Sequence, residues 1–515
     1  MDNLTLDNAE EALYSLFVVT TNTTGVAVCD STQQYNSSPN EQKNRIMYAS
    51  AIELSRAIAN KDVSCVEFMQ YTIERIDALN PTYNAIVGMV DTDQLFEQAE
   101  IADIALSKGD YWGWMHGMPH AVKDLANVKG IINSFGSPLF KDIVSMQDEI
   151  FVERIRHQGA IFIGKTNVPE FGLGSQSYNP VYGSTKNAFN PLLCAGGSSG
   201  GAAVALATGL LPVADGSDMM GSLRNPAAFN NVVGFRPSMG RIPAAKNDLF
   251  FDQLATDGPM GRTVSDIIQL FSTMSGADQR TPLSIRLAED TKNPCFKRPL
   301  KELKVGWMGN YDGYLPMQNG ILEHCEKALH NLSLAGANID AATIDFPMPS
   351  LWQSWLMLRH WLVANGKKNL YSDVAKRSQM KPELVWEIEG GLTASSVDLF
   401  DASITRSEWY RVINSAFQQW DILALPAAQV YPFPVDQHWP QTIENTVMDT
   451  YHRWMEVTIG GTLCGCPVIS LPAGFDASGR PMGIQFMAGM GEDRKLLEFA
   501  LAYEEVNPWR HHYQK

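Results

Sequence analysis

Two serines and a lysine carry the chemistry this chain can be expected to do. Lys123 closes an apolar run, Pro119-His-Ala-Val-Lys-Asp124; Ser198 lies in Gly196-Gly-Ser-Ser-Gly-Gly201; Ser222 follows a polar stretch in Asp215-Gly-Ser-Asp-Met-Met-Gly-Ser-Leu-Arg-Asn-Pro226. Such a set can supply a nucleophile, a proton relay and a base without histidine, which is the chemistry of amide hydrolysis at a Ser-Lys site. A lysine of ordinary pKa, about 10.4, keeps its proton at neutral pH, so Lys123 serves as a base only if buried away from carboxylates. On a strand-like segment Lys123 can point into a cleft while Asp124 faces the other way. On this motif alone a surface lysine is the more ordinary reading.

The other two motifs differ in what they specify. Gly196-Gly-Ser-Ser-Gly200 fits the G-x-S-x-G elbow of an α/β-hydrolase, but Asn190-Pro191 puts a turn where the preceding strand should be. A phosphate loop would have Lys after the glycines, and Ala202 follows instead. A linker, or a helix start whose amides hold an anion or a strained turn, stays open. In the third motif an apolar segment reaches a sharp polar turn at Asp215-Gly-Ser-Asp218. The backbone amides of Met219, Met220, Gly221 and Ser222 can then converge as an oxyanion hole, with Asp218 and Arg224 bracing the loop as an ion pair.

The elements around these motifs point to a wound α/β sheet with helices on both faces. Strands are expected over 160–164, 210–214, 303–307, 422–425, 468–471 and 483–487, and helices over 202–208, 321–335 and 493–506. Ser50-Ala-Ile-Glu53 and Ser64-Cys-Val-Glu67 are capping boxes that open two more helices, the second stopped by Asn80-Pro81. Residues 1–46 are rich in Thr, Asn, Ser and Gln and are expected to form a flexible extension. A polar connection over 278–300 gives no clean domain break.

Among the 515 residues, 45% are hydrophobic and 19% charged, which is enough for a sizeable core. The net charge of −16 argues against nucleic acid as a partner. No apolar run approaches the roughly 20 residues of a membrane span, and no positive n-region marks a secretory signal. Seven cysteines, an odd number, suggest no disulfide framework, so a reducing, cytoplasmic location is expected. His116 and His120 have ligand-like spacing, but Gly117 and Pro119 break any helix between them, and no metal is assigned.

Taken together, the motifs resemble the amidase signature family, whose pattern runs Gly-Gly-Ser-Ser-Gly-Gly and then Gly-x-Asp-x-Gly-Gly-Ser-x-Arg-x-Pro-Ala. The separations agree, with 75 residues from Lys123 to Ser198 and 24 from Ser198 to Ser222. Gly164-Lys-Thr-Asn-Val-Pro-Glu-Phe-Gly172, Val232-Val-Gly-Phe-Arg-Pro-Ser238, Gly465-Cys-Pro-Val-Ile-Ser-Leu-Pro-Ala-Gly-Phe475 and Pro481-Met-Gly-Ile-Gln485 extend the likeness over roughly residues 47–507. It implies one large α/β domain over 47–515, with a mixed, twisted central sheet covered by helices on both faces and a variable substrate region at about 310–460. It also implies a Ser-cisSer-Lys triad in which Ser222 is the nucleophile, Ser198 the proton relay on a cis peptide and Lys123 the general base, oriented by Ser199. No cofactor is implied. One departure stands out: Met220 replaces a family glycine. Either this position has ordinary φ, or the oxyanion loop is shaped differently here.

Eight of the twelve tryptophans fall within residues 351–454. Trp352, Trp355, Leu358 and Trp361 form a helical stripe that packs a core or, alternatively, walls an aromatic pocket together with His452 and Trp454. The expected activity is hydrolysis of a small apolar, aryl, amino-acid or cyclic amide, or a carbamate. A homodimer stays open. The competing readings are a silent binding scaffold, the amide-cleaving component of a glutamine-dependent amidotransferase, and an ordinary α/β-hydrolase dependent on a later histidine such as His452.

Overall fold

The two capping boxes open helices as the sequence suggests. In a computed structural model describing residues 46–285 and 299–513, Ser50 Oγ accepts from the Glu53 amide (3.1 Å) while the Glu53 carboxylate accepts from the Ser50 amide (2.6 Å), starting the helix Ala51–Ala59. Ser64 and Glu67 repeat the exchange at the start of Cys65–Tyr83. The second helix does not stop at Asn80-Pro81 but runs on to Tyr83 and ends at Asn84, in the left-handed region with φ 51°. Pro81 removes one donor from a helix that is ending anyway. Asn80 secures the exit, its Oδ1 accepting from the Ala85 and Ile86 amides (2.8 and 2.9 Å) and its Nδ2 donating to the Ile86 carbonyl (2.7 Å).

Two sheets organise the chain. A small one contains β1 (Ile86–Val87), β2 (Pro119–Lys123) and β3 (Ile161–Thr166), with β3 central, parallel to β2 and antiparallel to β1. The large one is mixed and has eight strands: β4 (Val213–Asp218), β5 (Val233–Arg236), β6 (Thr256–Gly261), β7 (Lys304–Trp307), β8 (Asn338–Ala341), β9 (Ile422–Pro426), β10 (Val468–Phe475) and β11 (Pro481–Met487). Their order is β8-β7-β9-β11-β10-β5-β6-β4. Side chains alternate to its two faces. Ile422 and Ala424 enter one apolar cluster with Ile469, Leu471 and the Gly200–Ala207 helix; Leu423 and Leu425 enter another with Trp352, Trp355, Trp409 and Trp454. The fold is therefore the expected α/β sheet covered on both faces.

β4 begins three residues later than expected and includes Asp215–Asp218, which the sequence suggested as a turn. The amides of Leu210 and Leu211 still bond back to the Ala205 carbonyl (2.7 and 3.2 Å), so those residues close the preceding helix. The polar residues form strand because they pair along β6, with Gly216 opposite Gly258. Residues 1–45 and most of the 278–300 connection lie outside the described residues. No helix among the described residues is long and apolar enough to cross a membrane.

The Gly200–Ala207 helix, GGAAVALA, is buried at every position. A Cβ on Gly201 would lie 2.3 Å from the Asn167 nitrogen and 2.6 Å from the Ala85 oxygen, so backbone would have to move to admit it. We expect Gly201→Ala to lower the stability of the folded chain by about 1–3 kcal/mol or more, read as a fall in the denaturant midpoint at unchanged m-value.

Candidate active site

Lys123 is the last residue of β2, and its two ends are held separately. Its backbone amide donates to Asp215 Oδ2 (3.1 Å), while Asp215 Oδ1 meets His120 Nε2 (3.1 Å), so one β4 carboxylate ties the small sheet to the large one. Its Nζ reaches Ser198 Oγ (2.8 Å), Ser199 Oγ (2.7 Å), Ser217 Oγ (3.0 Å) and the Ser217 carbonyl (3.1 Å). Lys123 is 1% exposed. Burial pushes its pKa down to about 7, outweighing the opposing fields of Asp218, Asp257 and Asp215. Asp124 does face away, accepting from the Ser134 and Gly136 amides. The surface-lysine alternative is thereby closed.

The glycine-rich segment is neither a linker nor an anion cradle. The Gly197–Ser198 peptide is cis. Around it the amides are already taken by protein groups: Gly197 by Asn225 Oδ1 (3.2 Å), Ser199 by the Ser222 carbonyl (3.2 Å), Gly200 by Ser177 Oγ (3.1 Å) and Gly201 by the Asn167 carbonyl (3.1 Å). The Ser199–Ser222 bond fastens this segment to the turn after β4.

That turn is built on Asp218. Arg224 donates to both of its oxygens, Nε to Oδ2 and Nη2 to Oδ1, each at 2.9 Å. Arg224 is itself pinned by the Thr458 carbonyl, Gln485 Oε1 and Thr462 Oγ1. Burial alone would raise the Asp218 pKa, but the guanidiniums of Arg224 and then Arg236 hold it far below the usual carboxylate range. The same carboxylate accepts from the amides of Gly221 (2.8 Å) and Leu223 (3.1 Å). The expected row of four converging amides is thus broken, because the Gly221 amide is committed to Asp218, whereas those of Met219, Met220 and Ser222 donate to no described residue. The Met220 question resolves as ordinary φ: the left-handed position is Gly221, at φ 82°, where a Cβ would come within 2.7 Å of Thr458. Met220 is 5% exposed.

Ser198, Ser217 and Ser222 open on a cavity of about 290 Å³, walled on its apolar side by Leu125, Phe171, Leu173, Met219, Met220, Leu362, Val363 and Leu384. Asp252, Arg359, Lys367 and His452 complete it. Of the four expected pocket residues only His452 lines it. Trp352, Trp355 and Trp454 are corrected: at 0–1% exposure they fill the apolar cluster behind the sheet, the stripe being core as far as Leu358 and leaving it at the half-buried Trp361. His452 is buried, with both ring nitrogens unpartnered among the described residues, and burial followed by Arg359 drives its pKa well below 6.5. Arg359 is bonded to Glu387 (2.5 Å) and to the Tyr451 hydroxyl (2.7 Å). The other histidine singled out for metal-like spacing beside His120 has structural partners: His116 bridges the Trp112 amide and the Ala102 carbonyl.

The sequence reading missed Ser217, Phe171, Arg359 and Lys367. Ser217 was recoverable, since on a strand it shares a face with Asp215, and both reach Lys123. Phe171 lies within the Gly164–Gly172 motif, where nothing marked it as a wall residue, and Arg359 and Lys367 lie in segments without a motif.

Residues 67–497 match the Amidase family model. The chain is 32% identical over 466 residues to an acylamidase of Rhodococcus erythropolis, covering 90% of this chain and 96% of that protein. It is 30% identical over 477 residues to a component of the glutamyl-tRNA(Gln) amidotransferase of Thermosynechococcus vestitus, covering 89% and 98%. Among solved structures, a bacterial aryl acylamidase of the amidase signature family superposes with a TM-score of 0.85 at 27% identity, covering 91% and 98%. The 6-aminohexanoate cyclic dimer hydrolase superposes with a TM-score of 0.79 at 23% identity, covering 90% and 98%, which speaks to fold alone. A chain with this sheet, this lysine–serine contact and these relatives belongs to the amidase signature family and is an enzyme that hydrolyses amide C–N bonds.

Proposed function

We propose that the chain is an acylamidase working through an acyl-enzyme on Ser222. The observation that carries this reading is the buried Lys123 amine lying 2.8 Å from Ser198 Oγ, with no carboxylate paired to it among the described residues. Neutral Lys123 accepts the Ser198 proton as Ser198 takes that of Ser222, and Ser222 Oγ adds to the amide carbon. The oxyanion falls to the amides of Met219, Met220 and Ser222, which are the uncommitted ones in the turn. Collapse of the tetrahedral adduct breaks the C–N bond, and the proton held on Lys123 passes back through Ser198 to the leaving nitrogen. Water, activated by the same relay, then cleaves the ester and frees the carboxylic acid. Ser199 and Ser217 keep the lysine directed at Ser198, their hydroxyls standing at 2.7 and 3.0 Å from its nitrogen.

The predominantly apolar wall favours an aliphatic or aryl amide over a highly polar one. The acylamidase and aryl acylamidase relatives support the same substrate class. The amidotransferase relatives give a second reading, in which the released ammonia would pass to a partner-held acyl group.

Release of acid and amine from a panel of aliphatic, aryl and cyclic amides, run beside glutamine, separates the two. We expect anilide turnover by the isolated chain, falling at least about 10³-fold in Ser222→Ala and in Lys123→Ala. Glutamine hydrolysis with no anilide turnover would favour the transferase.

The pH profile provides an independent check. Lys123 works only when neutral and its pKa stands at about 7, so kcat/KM should climb tenfold per pH unit below that value and level off above it. A flat profile from pH 5 to 9 would remove Lys123 as the base.

A further inference from the structure

Three charged side chains line the cavity, and two of them are balanced. Asp252 has Lys246 at 3.1 Å, and Arg359 has Glu387 at 2.5 Å. Lys367 is different. Among the described residues its ammonium has neither a carboxylate nor a hydrogen-bond acceptor, and it stands over two aromatic rings instead, 4.9 Å from the Phe171 centroid and 5.7 Å from that of Phe135. Ring faces attract a cation but leave its charge unneutralised. Burial pushes the lysine's pKa down with no neighbouring charge contributing, which agrees with that isolation.

The position of Lys367 connects it to the reacting end of the cavity. It follows Arg359, Leu362, Val363 and Gly366 on the Met348–Ser372 helix, at the i, i+3, i+4, i+7, i+8 spacing of one face, and all five line the cavity. Gly366 leaves space beside it, since an added Cβ there would meet nothing within 4 Å. Phe171, beneath the ammonium, precedes Gly172, where an added Cβ would lie 3.6 Å from Ser198 Oγ. One wall thus runs from an unbalanced cation to the bridging serine.

We propose that the amide bound in this cavity carries a carboxylate, on its acyl or its amine part, that pairs with the Lys367 ammonium. This inference rests on the acylamidase reading above and narrows its substrate class. The apolar lining holds the middle of such a molecule, and Lys367 holds its charged end. In a chain of net charge −16 an anionic substrate gains little from the protein at large, so its recognition depends on this local cation.

The test uses matched pairs and the wild-type, Lys367→Met and Lys367→Arg proteins. On the acyl side, glutaryl 4-nitroanilide is compared with pentanoyl 4-nitroanilide; on the amine side, 4-(pentanoylamino)benzoate is compared with pentanoyl anilide. In at least one pair the fold-loss in kcat/KM on going to Lys367→Met should be about tenfold greater for the carboxylated member. KM should carry that loss, 0.5 M salt should shrink it, and Lys367→Arg should restore most of it. Equal losses for both members of each pair, or no loss, would overturn the proposal. Neutral anilides turned over and silenced by Ser222→Ala alongside that result would leave the hydrolase reading standing. A folded wild type that hydrolyses no amide of any kind would sink both.

Discussion

An amine keeps its lone pair at neutral pH only where water and carboxylates are both kept from its proton, and much of the architecture around Lys123 meets that condition. The amine is surrounded by hydroxyls and one carbonyl, which hydrogen-bond it without supplying a full negative charge. The nearby acids are turned to other work. Asp215 is spent on a backbone amide and His120, and Asp218 on Arg224 and two amides of the following turn. Their fields still raise the lysine's affinity for a proton, but burial outweighs them. The arrangement bears on stability. The unfolded chain holds this proton up to about pH 10.4, while the folded chain releases it near 7. Between those values the unfolded state binds more protons, so the contribution of this group to stability rises with pH and is lowest at and below neutrality.

Asp218 links two demands that need not have coincided. It fixes the turn after β4 through Arg224, and in doing so it takes the Gly221 amide out of the set that can face a substrate oxygen. Positive φ is confined to Gly221, which is why methionine is tolerated one residue earlier. Met220 then fills space beside Ser222 where a glycine would leave it empty. The Ser199–Ser222 bond joins this turn to the glycine-rich segment, so the two serine motifs are directly linked.

Of the eight strands of the large sheet, β5, β6 and β8 were not anticipated, whereas β7, β9, β10 and β11 were legible as short apolar runs bounded by turn residues, and the capping boxes at Ser50 and Ser64 carry their own geometry in four residues. β4 was less so. Leu210-Leu211 reads as strand by composition but is consumed in closing a helix, while Asp215–Asp218 reads as turn and is strand because β6 pairs with it across two glycines. That information lies about 40 residues away and leaves no local mark. Trp352 and Trp355 failed as pocket residues for a similar reason. Helical spacing identifies a face but not what covers it, and here the face turned to the cavity is the one bearing Arg359, Leu362, Val363, Gly366 and Lys367. Lys123, Ser198 and Ser222 were legible because each is enclosed by small residues whose pattern has few other uses.

Part of the cavity wall stands apart from the main core, although Met220 belongs to the tryptophan-rich cluster and Met219 and Leu362 pack against it. Leu173, Ala364, Met380, Leu384 and Ile388 form a small apolar cluster of their own, apart from the two that sandwich the large sheet, and Phe171 and Val363 pack on it. The helices Met348–Ser372 and Pro382–Thr393 can therefore exchange side chains on that surface without disturbing the packing that sets the lysine among its serines. Changes on that part of the wall are in this way partly insulated from the packing that holds Lys123 against Ser198 and Ser199.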